Sequence, residues 1–358
     1  MKTALYNLHK ELGASFTDFM GYEMPLKYTS IQEEHLNVRR NVGIFDVSHM
    51  GKIFVRSEAE KISKLIVGDA KKIETGMGNY TLLLDENGNI IDDEVFFHLE
   101  DGFLFIPNAG LHEKIMKWFI SHGIEAEDMT NEYSILAIQG RYSAEVMKEL
   151  AHFDVNSLKF FEVAEIGNKM KIESNARIIV SRSGYTGEKG YELYISPAEE
   201  AIKIFKEALE KGKKYNIMPI GLGARDSLRV EKCFMLAGNE FEGGRNPFEL
   251  GLEWTIDWGH DFIGKDALIK AKDNVREKLS FLKCMEAGIP RHKDIVKKDG
   301  RTIGKVSSGG FSPCLKKGIA MAFIEKEYIE IDSVVEIEGR RKINAIMVKP
   351  PFVRKGEC

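Results

Sequence analysis

Along residues 51–122 the apolar positions switch repeatedly between a two-residue and a helical period. GKIFVRS alternates as a half-buried strand does, and EAEKISKLIVGD carries its apolar residues at helical spacing. NYTLLL and NIIDDEVFFHL read as strands joined through Asp85-Glu86-Asn87-Gly88, where the Asn-Gly step is a strong hairpin signal. GFLFIPN then reads as a strand and 110–121 as a helix. Upstream, 3–13 reads as a helix. A second helix opens at Ser30, with Ser30 and Glu33 spaced as a capping box and Ile31, Val38 and Val42 on its apolar side. His35 falls between them as a hydrogen-bonded core histidine rather than a ligand. Residues 130–252 repeat the mixture: SILAIQG, KMKIES paired with ARIIVSRS around Asn175, GYELYIS, and helices at 198–212 and 222–235. After residue 275 short strands and glycine turns replace helix, including Asp299-Gly300 and Gly339-Arg340, which predicts a small β-barrel or jelly roll. The order of elements points to α+β lobes with antiparallel sheets rather than a doubly wound parallel one.

Composition narrows the classes. A chain of 358 residues exceeds what one core usually serves. Its formal net charge of −4, with Lys and Glu interleaved, disfavours duplex nucleic acid. No apolar run approaches a membrane span, and the first residues lack the apolar stretch of a signal peptide, so the cytoplasm is the expected compartment. The four cysteines (Cys233, Cys284, Cys314, Cys358) form no CxxC and have no histidine at ligand spacing. They are expected to be reduced, with no metal site.

Three places are rich enough in chemistry to hold a site. Asp92-Asp93 sits inside an apolar strand, where neighbours face opposite ways, so one carboxylate points inward and the other to solvent. Either an inward carboxylate is tuned for catalysis, or both guard a strand edge. Ser183-Gly184-Tyr185-Thr186-Gly187-Glu188 with Gly190-Tyr191-Glu192 is either a glycine-rich hairpin turn or a turn that lets backbone approach a ligand. It matches no phosphate-binding loop, and Glu192 projects from the face opposite Tyr191 and Leu193. Gly221-Leu222-Gly223-Ala224-Arg225-Asp226 thins the start of a helix for tight packing or ligand approach. Arg225 and Arg229 lie one turn apart on that helix, either gripping a carboxylate or carbonyl or salt-bridged to Asp226 or Glu231.

Taken together these motifs resemble the glycine cleavage T-protein family of tetrahydrofolate-dependent aminomethyltransferases. The resemblance is carried by GYEMPLKYTSIQEEHLNVRRNVGIFDVSHMG at 21–51, NYTLLLDENGNIIDDEV at 79–95, LAIQG at 136–140 and SRSGYTGEKGYEL at 181–193. It continues through GLGARDSLRVE at 221–231, NPFELGLEW at 246–254, GIPRH at 288–292, VSSGGFSPCLKKGIAMAFI at 306–324 and KPPF at 349–352. It implies a three-lobed cloverleaf around a central folate cavity. Residues 1–50 with 130–250 would form one lobe, 51–129 a second and 275–358 a barrel, with 251–274 connecting. Asp93 resembles the catalytic carboxylate and is thereby the inward one of its pair. Glu192 resembles the carboxylate that grips the pterin, Arg225 the arginine beside it, and Tyr80, Asn108 and Tyr185 fall where relatives line the cavity.

The resemblance further implies transfer of the methylene carbon of an aminomethyl group, borne on the lipoyl arm of a partner H-protein, to tetrahydrofolate. The products are 5,10-methylenetetrahydrofolate, ammonia and dihydrolipoyl H-protein. No metal, nucleic acid or membrane is required, and the protein is expected to be a monomer outside that complex. Four positions depart from the family pattern: Gly68, Pro107, Ala237 and Arg245. Ala237 and Arg245 motivate an alternative, a folate-dependent demethylase acting on a small methylated amine, sulfonium or methoxy compound. A folate-binding accessory of iron–sulfur assembly shares the fold, but such relatives carry K-G-C-Y-x-G-Q-E where this chain has SGYTGEKGYE.

Overall fold

The Asn87-Gly88 step does turn the chain. Asp85 Oδ1 accepts hydrogen bonds from the backbone of Asn87 and Asn89, both at 2.9 Å, and Gly88 takes the left-handed conformation that its lack of Cβ permits. The computed structural model to which this hairpin belongs describes residues 1–358. Its chain forms two compact units. One comprises Met1–Ser63, Asp69–Thr81 and Asp93–Arg225, the other Lys64–Gly68, Leu82–Asp92 and Asp226–Cys358. No helix is long and apolar enough to cross a membrane.

A six-stranded sheet organises the first unit, in the order Val163–Glu165, Arg177–Ser181, Gly190–Ser196, Ser134–Gln139, Val42–Asp46, Ile217–Ile220. Period-two patterning sends Ile178, Val180, Tyr191, Leu193 and Ile195 to one face. There they pack against Val146, Met147 and Leu150 of helix Ser143–Leu150 and Ile204 and Phe205 of helix Glu200–Lys211. Glu192 and Tyr194 stand on the opposite face. A second sheet runs Gly78–Leu84, Ile90–Leu99, Gly102–Ile106, Ile53–Arg56, Glu125–Asp128, with Phe96 stacked on Phe105 and Phe105 packed at a tilt against Phe119 of helix His112–Ser121. From residue 277 the strands close into a six-stranded barrel filled by small and branched residues such as Val296, Ala320, Ala322 and Ala345. Asp299 and Gly300 both adopt positive φ at its first tight turn.

Several local expectations change. Strand Ile217–Ile220 pairs in parallel with Val42–Asp46, because helix Glu200–Lys211 returns the chain in the same direction. Residues 169–174 form no strand. Arg177–Ser181 takes Val163–Glu165 and Gly190–Ser196 as its neighbours instead. The helix expected over 58–69 stops at Ser63, whose hydroxyl donates to Ala59 O and Asp69 Oδ1. Ser30 caps Ile31–Arg40 through Glu33 N at 3.1 Å, but Ile31 is exposed and Val42 already belongs to a strand. His35 is fully buried.

The cysteine reading is corrected in part. Cys233 and Cys284 are free, while Cys314 and Cys358 are joined in a disulfide across 44 residues of sequence. The C-terminal segment runs back along the end of helix Leu222–Glu231, with Val353 N donating to Glu231 O and Lys232 Nζ to Val353 O. Cys358 is thereby delivered to the turn after Arg301–Ser312. A pairing made by the path of the chain leaves no local spacing to read. Closing a loop of this length constrains the unfolded chain by on the order of 2–4 kcal/mol. Cys358→Ser, or reduction of the native protein, should lower the melting temperature in non-reducing calorimetry; equal melting temperatures would show that the bond is not formed in solution.

Candidate functional site

Strand Ile90–Leu99 decides which of the adjacent carboxylates is available. Asp92 is fully buried, whereas Asp93 is half-buried on the other face. The inward member is therefore Asp92, not Asp93. The correction suits chemistry, because a reacting carboxylate has to be reached. Asp93 is held from two sides: the Tyr80 hydroxyl donates to Oδ2 at 2.7 Å, and Asn108 Nδ2 donates to Oδ1 at 2.7 Å and to the Asp93 carbonyl at 2.9 Å. Tyr80 comes from the neighbouring strand Gly78–Leu84, and Asn108 follows the end of Gly102–Ile106. Register thus brings three of the expected site residues together around one carboxylate.

Glu192 lies on Gly190–Ser196. Its Oε2 accepts from Ser183 Oγ at 2.5 Å and from Tyr194 Oη at 3.3 Å, which leaves Oε1 with no protein donor. Burial, with Glu192 next to it, raises the Tyr194 phenol well above its usual range, so it stays protonated and able to donate to Glu192. The Ser183–Gly190 turn is built around the buried amide of Gln139. Its Nε2 donates to Ser183 O at 3.0 Å, its Oε1 accepts from Thr186 Oγ1 at 2.9 Å, and Arg39 Nη1 fastens Thr186 O at 2.6 Å and Glu188 at 2.9 Å. A Cβ on Gly184 would stand 2.0 Å from Gln139 Oε1, and one on Gly190 2.2 Å from its Nε2. These two glycines admit a side chain of the protein itself.

Within the same turn Tyr185 carries the Arg225 guanidinium over its ring at 4.6 Å. The glycines before Arg225 serve tight packing: a Cβ at Gly221 would meet Leu26 O at 2.2 Å, and one at Gly223 would meet Ile31 at 2.6 Å. Gly221 N also donates to the buried Glu34. Arg225 and Arg229 do not act as a pair. Arg229 is buried and consumed by Asp226 (2.8 Å), Glu240 (3.2 Å), Ser308 (2.9 Å) and Phe234 O (3.1 Å). Arg225 stays half-buried, like Tyr80, Asp93, Asn108, Tyr185 and Glu192. Arg245 is likewise occupied, by Glu249 and Glu277 at 2.9 Å each and by the Phe323 ring at 3.9 Å. It is a structural cation of the second unit.

Four residues beside the expected ones were not singled out in the sequence. Gln139 and Ser183 sit inside quoted motifs without any polar pattern of their own. His49 and Lys52 are buried at the turn before strand Ile53–Arg56. His49 packs edge-on to Phe19, and burial followed by the Arg225 charge pulls it down to about 3, so it is neutral near pH 7. Nothing in the period-two pattern separates a buried lysine at a strand start from a solvated one.

Residues 5–260 match the family model described as the GCVT N-terminal domain, and 278–354 the glycine cleavage T-protein C-terminal barrel domain. The aminomethyltransferase of Halothermothrix orenii is 38% identical, covering 98% of this chain and 99% of its own length. That of Aquifex aeolicus is 39% identical, covering 99% and 96%. The crystal structure of glycine cleavage system aminomethyltransferase T from Bartonella henselae superimposes with a TM-score of 0.91 at 29% identity, covering 99% of this chain and 98% of that one.

The Gln139 cradle makes a sharp expectation. Gly184→Ala should cost on the order of 2–3 kcal/mol in urea unfolding, since the amide loses both buried hydrogen bonds when it moves aside. In a Gln139→Ala background the same substitution should cost less than about 1 kcal/mol. Equal costs in the two backgrounds would place the strain elsewhere.

Proposed function

The chain belongs to the glycine cleavage T-protein family, and from that premise we propose that it moves the methylene carbon of an aminomethyl group, carried on the lipoyl arm of H-protein, to tetrahydrofolate. The products are 5,10-methylenetetrahydrofolate, ammonia and the dihydrolipoyl carrier. The observation that supports this most directly is the Asp93 carboxylate, accessible and clamped through both oxygens by Tyr80 and Asn108. The three-lobe division accompanies the proposal, because the ranges 1–50 with 130–250, 51–129 and 275–358 each contain one of the three large sheets. So does work in the cytoplasm.

Folate suits the residues present. A pterin offers two adjacent N–H donors, and Glu192 has one oxygen without a protein donor and a second already oriented by Ser183 and Tyr194. The Tyr185–Arg225 stack gives a flat cationic surface for a ring or a carbonyl. During transfer two folate nitrogens, N5 and then N10, each form a bond to the carbon and each lose a proton, while the carbon's bonds to the amino nitrogen and to sulfur break. The two protons leave with ammonia and with the dihydrolipoyl thiol, and the carbon passes through cationic character between the two displacements. Asp93 supplies one group for both tasks, a proton acceptor and a fixed negative charge. Tyr80 and Asn108 keep its oxygens aimed, which avoids reorganisation as charge develops. The thiol chemistry belongs to the carrier's arm, so no cysteine of this chain takes part.

Arg245 bears on the demethylase alternative. Its guanidinium is committed to Glu249, Glu277 and Phe323, which removes a principal reason for assigning it to a different substrate wall.

Purified protein, tetrahydrofolate and aminomethyl-loaded H-protein should release ammonia and form methylenetetrahydrofolate; absence of turnover with a competent carrier rejects the reaction. Asp93→Asn should lower kcat by about a hundredfold or more while folate affinity stays within a few-fold. Glu192→Ala should weaken folate binding by about tenfold or more in calorimetric titration, and unchanged affinity would move the pterin anchor elsewhere.

A further inference from the structure

Lys52 is fully buried and has no place in the chemistry above. Its Nζ makes one hydrogen bond, to Ser48 O at 2.8 Å. That bond closes the base of a tight turn in which Met50 N donates to Val47 O, and Ser48 N is fixed from the other side by Asp46 Oδ1 at 2.9 Å. The end of the turn is stitched to the site: Gly51 N donates to Pro107 O at 2.9 Å, and a Cβ on Gly51 would lie 2.8 Å from His112 Cβ and 3.1 Å from Pro107 Cγ. Pro107 directly precedes Asn108, whose amide holds Asp93.

We propose that Lys52 is a positioning residue for the Asp93 carboxylate, its ammonium pinning the Val47–Gly51 turn that braces Pro107 and so aims the Asn108 amide. The inference rests on the role assigned to Asp93 above. The groups facing Lys52 are Asp46 and Asp128, which favour its charge, and neutral His49. Asp46 is itself engaged by His9 at 2.9 Å and Thr3 at 2.7 Å, and Asp128 lies 3.7 Å from His112 and near the Tyr22 phenol. Burial outweighs both carboxylates and brings the ammonium down to about 7. Below that pH the bond to Ser48 O is charge-assisted. Above it a neutral amine still donates, but more weakly. The site therefore loosens as pH rises through neutrality.

The test compares wild type with Lys52→Met, similar in length and with no proton to lose, after thermal unfolding has confirmed that the variant is folded. Two readouts are followed from about pH 6 to about pH 9: the side-chain amide resonance of Asn108, and turnover with loaded H-protein. In wild type the Asn108 amide should shift with a midpoint near neutrality and turnover should fall about threefold across the range. In Lys52→Met both should be flat, with folate KM unchanged. An Asn108 amide insensitive to pH in wild type overturns the proposal, and that measurement stands even if the variant does not fold. A titration that persists in Lys52→Met belongs to His112 or another neighbour and overturns it equally. Absence of wild-type turnover would reject the proposed reaction and leave the Asn108 readout to decide the role of Lys52.

Discussion

A single half-buried carboxylate, fixed by a phenol on one oxygen and an amide on the other, is the constraint on which the rest of this site depends. In the role proposed for it, Asp93 has to remain reachable and still have one orientation. Those demands conflict on an exposed strand, where a free aspartate turns about χ1. The conflict is settled by register: adjacent strands place Tyr80 and Asn108 where their donors reach opposite oxygens, while Asp92 is buried on the other face of the strand. The hairpin at Asn87-Gly88 joins the strands of Tyr80 and Asp93, and the turn at 100–101 joins the Asp93 strand to the one that leads to Asn108, so two turns away from Asp93 determine its surroundings.

The Glu192 half follows a related design with different materials. Here the rigid element is a buried amide, Gln139, around which the backbone of 183–190 is wrapped. Glycine at 184 and 190 leaves room for that amide, and Arg39 closes the outer edge of the turn. Glu192 then emerges with one oxygen oriented and the other open, while Tyr185 supports the Arg225 guanidinium. In both halves the groups proposed to meet folate are partly exposed; those that orient Glu192 are buried (Ser183, Tyr194 and, behind them, Gln139), whereas Tyr80 and Asn108, which orient Asp93, are themselves half-buried. A buried polar group left unsatisfied is costly, so the orienting residues lock the geometry.

Much of this was legible in the amino-acid sequence because it depends on local rules. Period-two runs identified Ile90–Leu99 and Gly190–Ser196, the Asn-Gly step identified the hairpin, and alternation placed Glu192 opposite Tyr191 and Leu193. Quoted motifs carried Asp93, Glu192 and Arg225 as site residues. The same alternation could not say which of Asp92 and Asp93 faces inward, since a strand has two faces and sequence does not label them. It also left Arg225 and Arg229 as one pair, although their partners send one to Tyr185 and the other into a buried salt bridge.

Sequence by itself therefore determined most of the elements, the barrel-forming C-terminal texture and the residue types of the candidate site, each of which follows from short-range periodicity, turn chemistry or motif. Only the tertiary structure decided the Cys314–Cys358 bond, the parallel strand Ile217–Ile220, the burial of Lys52 and the structural employment of Arg245. Each of these depends, in whole or in part, on segments brought together over long chain separations. Burial and pairing are properties of where the chain returns, and no local pattern encodes them.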